Sequence, residues 1–297
     1  MVQTLRREDY TVGWICALAV ELAAAQEMLD EQHQRPQTDS TDTNSYKCGR
    51  IGTHNVVIAC LPGGTIAPNS STEVAVRMKY SFPNIRFGFL VGIGGGVPTQ
   101  EDIRLGDVVV SKPLSSHGGV VQFEHGRTTK TIAHLGNPPT ILLSALSNMR
   151  ANHMRGKNNL IGSVLKLQRI QAFSRAAAGP DVLFKPDYKH EGGQGCTGCS
   201  KNAVVQRKSR QQDVMVHYGT IASSNRPVRD SADRNKISAD LGGVLCFESE
   251  SAGVLNYFPC LVIRGICDYA DSHANGQWRA YAAATSAACA KEVLSVI

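Results

Sequence analysis

Short apolar runs alternate along this chain with stretches whose hydrophobic positions recur about every 3.6 residues, the signatures of strands and helices in turn. Residues 11–17 predict a buried strand, and 20–29, rich in good helix formers, predict a helix directly after it. A second strand over 55–61 ends at Pro62-Gly63-Gly64, and Ser/Thr capping residues open a helix over 70–80. A third strand, 86–93, ends in Gly94-Gly95-Gly96, and a fourth covers 107–111. The rhythm fades between about 115 and 213, where hydrophobicity is low, Lys and Arg are scattered and 191–195 is glycine-rich. That stretch reads as an inserted irregular segment carrying one helix near 140–154. Strands return at 214–222, 243–247 and 259–266, and an alanine-rich helix closes the chain over 280–296.

Strands alternating with helices predict an α/β fold, three-layer α/β/α with a central mixed, mostly parallel sheet, in a single domain over 9–297 with a polar insertion at about 115–213. In such sheets ligands sit beyond the carboxyl ends of the strands, so the loops after the strands are where chemistry belongs. The last helix meets the end of the sequence with no glycine or proline stop signal, which predicts a domain belonging to a longer, multidomain protein.

At 297 residues with 42% hydrophobic content the chain can bury a large core. A net charge of +6 is too mild for a dedicated nucleic-acid binder but suits an anionic small molecule. No apolar run is long enough to span a membrane, and the N-terminus is charged rather than signal-like. Nine cysteines, an odd number scattered through apolar stretches, fit buried free thiols of a reducing compartment. A cytoplasmic location without nucleic-acid or membrane partners is expected.

Carboxylates cluster at the predicted strand ends. Asp268 lies just past the strand in Ile263-Arg264-Gly265-Ile266-Cys267-Asp268-Tyr269-Ala270-Asp271, where its structural alternative is a helix N-cap. Glu248 and Glu250 flank the strand end in Phe247-Glu248-Ser249-Glu250-Ser251-Ala252-Gly253, a spacing that points both side chains the same way if extended and otherwise marks a solvated edge. Glu21 follows the first strand and would by itself be a first-turn helix glutamate favoured by the dipole.

Together with Ile15-Cys16-Ala17-Leu18-Ala19-Val20-Glu21, with Val91-Gly92-Ile93-Gly94-Gly95-Gly96-Val97-Pro98 and with Leu105-Gly106-Asp107-Val108-Val109-Val110-Ser111, these motifs resemble the methylthioadenosine/S-adenosylhomocysteine nucleosidase branch of the nucleoside phosphorylase superfamily. Across nearly the whole chain the resemblance is nearest to the fungal phosphorylase-like domain attached to ankyrin-repeat or nucleotide-binding immune-receptor-like proteins. It implies a purine N-ribosyl hydrolase and assigns three roles. Asp268 protonates or hydrogen-bonds the purine, Glu250 binds the ribose hydroxyls, and Glu21 orients and deprotonates the attacking water. Substrate contacts fall on Gly92, Ile93, Gly94, Gly95, Phe247, Glu248, Ser249, Asn225, Arg226 and Val228. Ser249 stands where the family usually has a methionine under the ribose, and Pro227 where the nucleosidases place an aromatic over the base. No cofactor is implied, a purine nucleoside or nucleotide is the partner, and a homo-oligomer is expected.

The family's phosphorylases hold phosphate with an arginine after the first strand and another before the glycine loop. Residues 17–21 and 89–92 carry neither, and Glu21 would repel a phosphate dianion. Hydrolysis is therefore favoured over phosphorolysis. Basic residues abound on the segments that can reach the ribose 5′ side, among them Lys112, Arg127, Arg207 and Arg210, which are candidates for a phosphate chain. Immune-type relatives include domains that strip adenine from ATP, so an adenine nucleotide is the preferred substrate, with methylthioadenosine or adenosine next. Cys196-Thr197-Gly198-Cys199 with His190 has half the spacing of a structural zinc site and could be completed by an Asp or another His, while unmetallated thiols are the alternative.

Overall fold

The computed structural model describes residues 3–63, 68–124, 130–193 and 195–297. Among them run twelve strands: β1 (Gln3–Thr4), β2 (Val12–Cys16), β3 (Glu31–Gln34), β4 (Tyr46–Ile51), β5 (His54–Cys60), β6 (Phe87–Gly96), β7 (Val108–Ser111), β8 (Val120–Glu124), β9 (Lys130–His134), β10 (Val216–Ser223), β11 (Val244–Glu248) and β12 (Cys260–Asp268). The helices are α1 (Ala19–Glu27), α2 (Pro68–Ser81), α3 (Thr140–Met154), α4 (Leu160–Leu167), α5 (Arg175–Ala178), α6 (Ser231–Asp240), α7 (Ser251–Val254) and α8 (Arg279–Leu294). The expected mixed α/β architecture is present. All strands join one sheet in the order β1-β3-β4-β5-β2-β6-β12-β7-β10-β8-β9, with β11 pairing both β10 and β6.

That double pairing closes part of the sheet. From β6 the ladder runs through β12, β7 and β10 to β11 and back to β6, so five strands form a circuit. Strand β6 joins this circuit to the rest of the sheet, parallel to β2 and β12 and antiparallel to β11. It is longer than its sequence predicts, because it continues through Gly94-Gly95-Gly96, which are flanked by β12 on one side and β11 on the other. Buried on both faces, β2, β6 and β12 are almost uninterrupted apolar or glycine sequence, as strands with two covered faces must be. The alanine-rich α8 packs against β6, β12, α1 and α4, and nearly every residue of it is buried. Small side chains let it lie close to the sheet over its whole length.

The stretch 115–213 corrects its reading as one irregular insertion. Its first half supplies β8 and β9 to the sheet, then α3 where expected, then α4 and α5. Only from about 179 onward is the backbone mostly irregular. The half-polar Val120-Val121-Gln122-Phe123-Glu124 is too short and mixed to stand out by periodicity, although Val121 and Phe123 are buried. Strands β1, β3 and β4, at one edge of the sheet, are likewise absent from the sequence pattern, because Gln, Glu and His dominate β1 and β3. Among the described residues no helix is long and apolar enough to cross a membrane.

Candidate active site

The ends of β6, β11 and β12 meet at one place. Registers set Gly95 of β6 opposite Phe247 of β11 and opposite Asp268 of β12, and Arg264 opposite Gly92. A bulge between Ile266 and Asp268 breaks the regular ladder and redirects Asp268. Its Oδ1 accepts from the Ala270 amide at 2.8 Å, and Ala270 itself has a φ of 49°, in the left-handed region. Gly95 is required here, since a Cβ would lie 2.8 Å from Asp268 Oδ1 and 2.9 Å from the Ala270 Cβ.

Behind these strand ends sits a buried cluster of one cation and three carboxylates. Arg264, 0% exposed, donates from Nη2 to Glu248 Oε2 at 2.5 Å and lies 3.1 Å from Glu250 Oε2. Glu248 also accepts from the amides of Glu250 and Ser251 at 2.9 and 3.0 Å, which folds the short turn into α7 around it. The Ser249 hydroxyl donates to Glu250 Oε1 at 2.6 Å. Glu21, at the start of α1, is held by three amides. Ala17 and Leu18 donate to Oε2 at 2.7 and 2.9 Å, and Ile93 of β6 donates to Oε1 at 2.9 Å. Gly92 makes this approach possible, because a Cβ there would sit 2.6 Å from Glu21 Oε1 and 2.4 Å from Arg264 Nη1.

Burial pushes the Glu250 carboxyl up to about 7, with Arg264 opposing and the charges of Glu248 and Glu21 adding to the rise. The Glu21 carboxyl is also raised by burial, against Arg264 and its three amides. For Arg264 burial acts downward but is outweighed by Glu248, Glu250 and Glu21, so the guanidinium is held charged. A single cation among three carboxylates leaves the cluster anionic whenever Glu250 is ionised, an environment suited to a water or a hydroxyl donor and hostile to a phosphate dianion.

A cavity of about 430 Å³ lies beside this cluster, and Glu248 is common to both: it contributes to the cavity wall, while its side chain is fully buried against Arg264. That volume is in the range of small-molecule sites. Gly95, Phe247, Glu248, Ser249, Asp268, Asn225, Arg226 and Val228 all line it, so the structure brings together Asp268 and most of the substrate-contact residues expected from the sequence. Gly92 and Ile93 instead support the carboxylate cluster, and Gly94 is packed against Cys246 and Phe247. Glu21 and Glu250 surround Arg264 rather than the cavity wall. Two contributors were not singled out. Arg264 is a lone cation in an apolar strand, and that exception to the pattern was its only signal. Phe123 of β8 lines the cavity 5.7 Å from the Phe247 ring and supplies the aromatic surface that the 225–228 loop lacks.

The phosphate candidates are placed differently. Arg207 is bound to Asp181 at 2.7 Å and Arg210 to Asp107 at 2.5 and 2.8 Å, in the wall of a second cavity that shares no residue with the first. Their charges are already answered by those carboxylates, so the structure does not bring them to Asp268. Lys112 is exposed and absent from either cavity wall, and Arg127 lies outside the described residues. Cations that do line the first cavity are Arg226, Arg229 and Arg279, all exposed, and among the described residues none has an acidic partner within ion-pair distance. His190, Cys196 and Cys199 come together, joined by His273.

The phosphorylase superfamily model matches residues 11–297. A nucleotide-binding leucine-rich repeat (NLR)-like protein of Hyaloscypha variabilis is 40% identical over 99% of this chain, which spans only 30% of that protein's length. Among solved structures, a putative 5′-methylthioadenosine/S-adenosylhomocysteine nucleosidase from Borrelia burgdorferi bound to adenine superposes with a TM-score of 0.65 at 13% identity, covering 97% of this chain and 100% of that one. The nucleosidase from Neisseria meningitidis in complex with methylthio-immucillin-A gives 0.60 at 17% identity, and the futalosine hydrolase of Helicobacter pylori 0.58 at 15%, each covering 97% of this chain and 99% of its own. At such identities these structures establish the fold, and the match over nearly the full length places the chain in the phosphorylase superfamily.

Proposed function

We propose that this chain is an N-ribosyl hydrolase that releases adenine from an adenine nucleotide, ATP before methylthioadenosine or adenosine. The observation that carries the reading is the placement of Asp268, in the wall of a partly aromatic cavity, beside a buried carboxylate cluster that shares Glu248 with that wall. The base stacks against Phe123 and Phe247, and Asp268 delivers a proton or hydrogen bond to the departing purine. Ionised Glu250 accepts hydrogen bonds from the ribose hydroxyls. Glu21, fixed by three amides, takes the proton of the attacking water, and the products are free base and the ribose moiety. Water is favoured as nucleophile because Arg264, the cation of the cluster, is already committed to carboxylates.

Support for a nucleotide comes from Arg226, Arg229 and Arg279, three exposed cations in the cavity wall without an acidic partner among the described residues, rather than from Arg207 and Arg210. Incubation with adenosine, methylthioadenosine, AMP and ATP, with free base as the readout, tests both halves of the proposal. Release from ATP with the highest kcat/KM, independent of added phosphate, is expected. Methylthioadenosine cleaved faster than ATP would refute the nucleotide preference, and strict dependence on phosphate would refute hydrolysis.

A further inference from the structure

Outside the carboxylate cluster, four side chains converge where the irregular stretch after α5 meets the loop between β12 and α8. His190, Cys196, Cys199 and His273 place their ligating atoms within 4.8 Å of one another. The four sulfur-to-nitrogen distances are 3.9 Å for Cys196–His190, 3.5 Å for Cys196–His273, 3.4 Å for Cys199–His190 and 3.8 Å for Cys199–His273, each to the imidazole Nδ1. Ligands about 2.3 Å (sulfur) and 2.0–2.1 Å (nitrogen) from a tetrahedral zinc stand roughly 3.6 Å apart, so all four distances bracket the value expected for one shared ion.

The outer atoms agree. His273 Nε2 faces the Tyr188 carbonyl at 3.2 Å and His190 Nε2 faces the Gly193 carbonyl at 3.3 Å. A carbonyl only accepts, so each Nε2 carries the proton and each Nδ1 presents its lone pair to the cluster, the tautomer a metal ligand needs. The His273 ring is also stacked on Phe184 at a centroid distance of 4.0 Å, and the His190 amide donates to the Ser272 hydroxyl at 3.0 Å. Both imidazoles are thus oriented before any ion arrives.

We propose that these residues form a structural zinc site of two thiolates and two imidazoles, which fastens the 180–205 stretch to the loop after Asp268. Zinc is favoured over harder cations by the sulfur and nitrogen donors and over an open catalytic metal by four protein ligands. Ala274, Asn275 and Gly276, the residues that follow His273, line the substrate cavity, so the ion holds one wall of that cavity without touching the reaction. The site stands independently of the proposed hydrolysis, and its test does not use activity.

Metal analysis of protein purified under reducing conditions from zinc-supplemented cells should find about one zinc per chain, lost in Cys199→Ser and in His273→Gln. Cobalt(II) titrated into the zinc-stripped parent should give the intense visible bands and thiolate charge transfer of a tetrahedral two-sulfur, two-nitrogen site. This arm needs no variant to fold. Removal of the ion should raise amide exchange at 270–277 together with 186–200. Metal content below about 0.1 per chain with no cobalt bands, an octahedral cobalt spectrum, or a Cys196–Cys199 disulfide persisting under reduction would overturn the proposal.

Discussion

At the scale of single residues, the buried arginine rearranges what the carboxylates are for. Glu248 and Glu250 neutralise Arg264, so Arg264→Met would leave them crowded without a counter-charge and should cost roughly 3–5 kcal/mol of stability in urea unfolding. Adding Glu248→Gln should restore part of that loss, and strict additivity of the two changes would show that the pair is not coupled. Asp268 has the opposite character, with no ion-pair partner among the described residues. Asp268→Asn should therefore fold normally yet lower turnover by roughly 10²-fold or more, and a near-normal rate in the purified variant would remove it from the mechanism. Glu250 must be ionised to accept from ribose hydroxyls, and burial raises it to about 7. Consequently kcat/KM should fall as the pH drops below about 7, and a flat profile from 5.5 to 8 would contradict its role. Arg264 and Phe123 were hidden in the sequence for related reasons: one cation in an apolar strand, and one aromatic in a half-polar one, are each compatible with packing alone.

At the scale of elements, strands with two buried faces and the helices between them were legible because their periodicity is continuous, as in β2, β6, β12 and α8. What escaped were contacts across long separations. His273 is 74 residues from Cys199, and only the loop between β12 and α8 brings it to the thiols. A second long-range contact joins β7 and β10 through buried Asp107, which accepts from His217 Nε2 at 3.0 Å while Glu101 faces the other ring nitrogen. Burial lowers the His217 imidazole, but the hydrogen bonds and charges of Asp107 and Glu101 outweigh it and the net shift is upward. A raised folded value means the stabilisation is complete below the unfolded value, about 6.5, and is lost as pH rises through the folded one. His217→Gln should thus destabilise the protein more at pH 6 than at pH 9, as read by urea unfolding, and a gap that widens with pH would reverse the assignment.

At the scale of the whole molecule, the net charge of +6 and the three exposed arginines around the cavity give the proposed substrate preference an ionic-strength signature. Raising salt from about 50 to 500 mM should lower kcat/KM for ATP severalfold and leave adenosine nearly unchanged, because screening acts on the charged phosphates alone. Replacing Arg226, Arg229 and Arg279 together by Gln should erase that difference, whereas equal salt sensitivity for both substrates would assign it to something other than the 5′ phosphates. The buried cluster also bears on how such a domain would decay. In a lineage that ceased to turn over substrate, Glu248 and Glu250 would stay in place because Arg264 cannot remain buried without them, while Asp268 has no ion-pair partner among the described residues. Drift should then appear first at Asp268, and intact glutamates would be a record of folding constraint rather than of surviving chemistry.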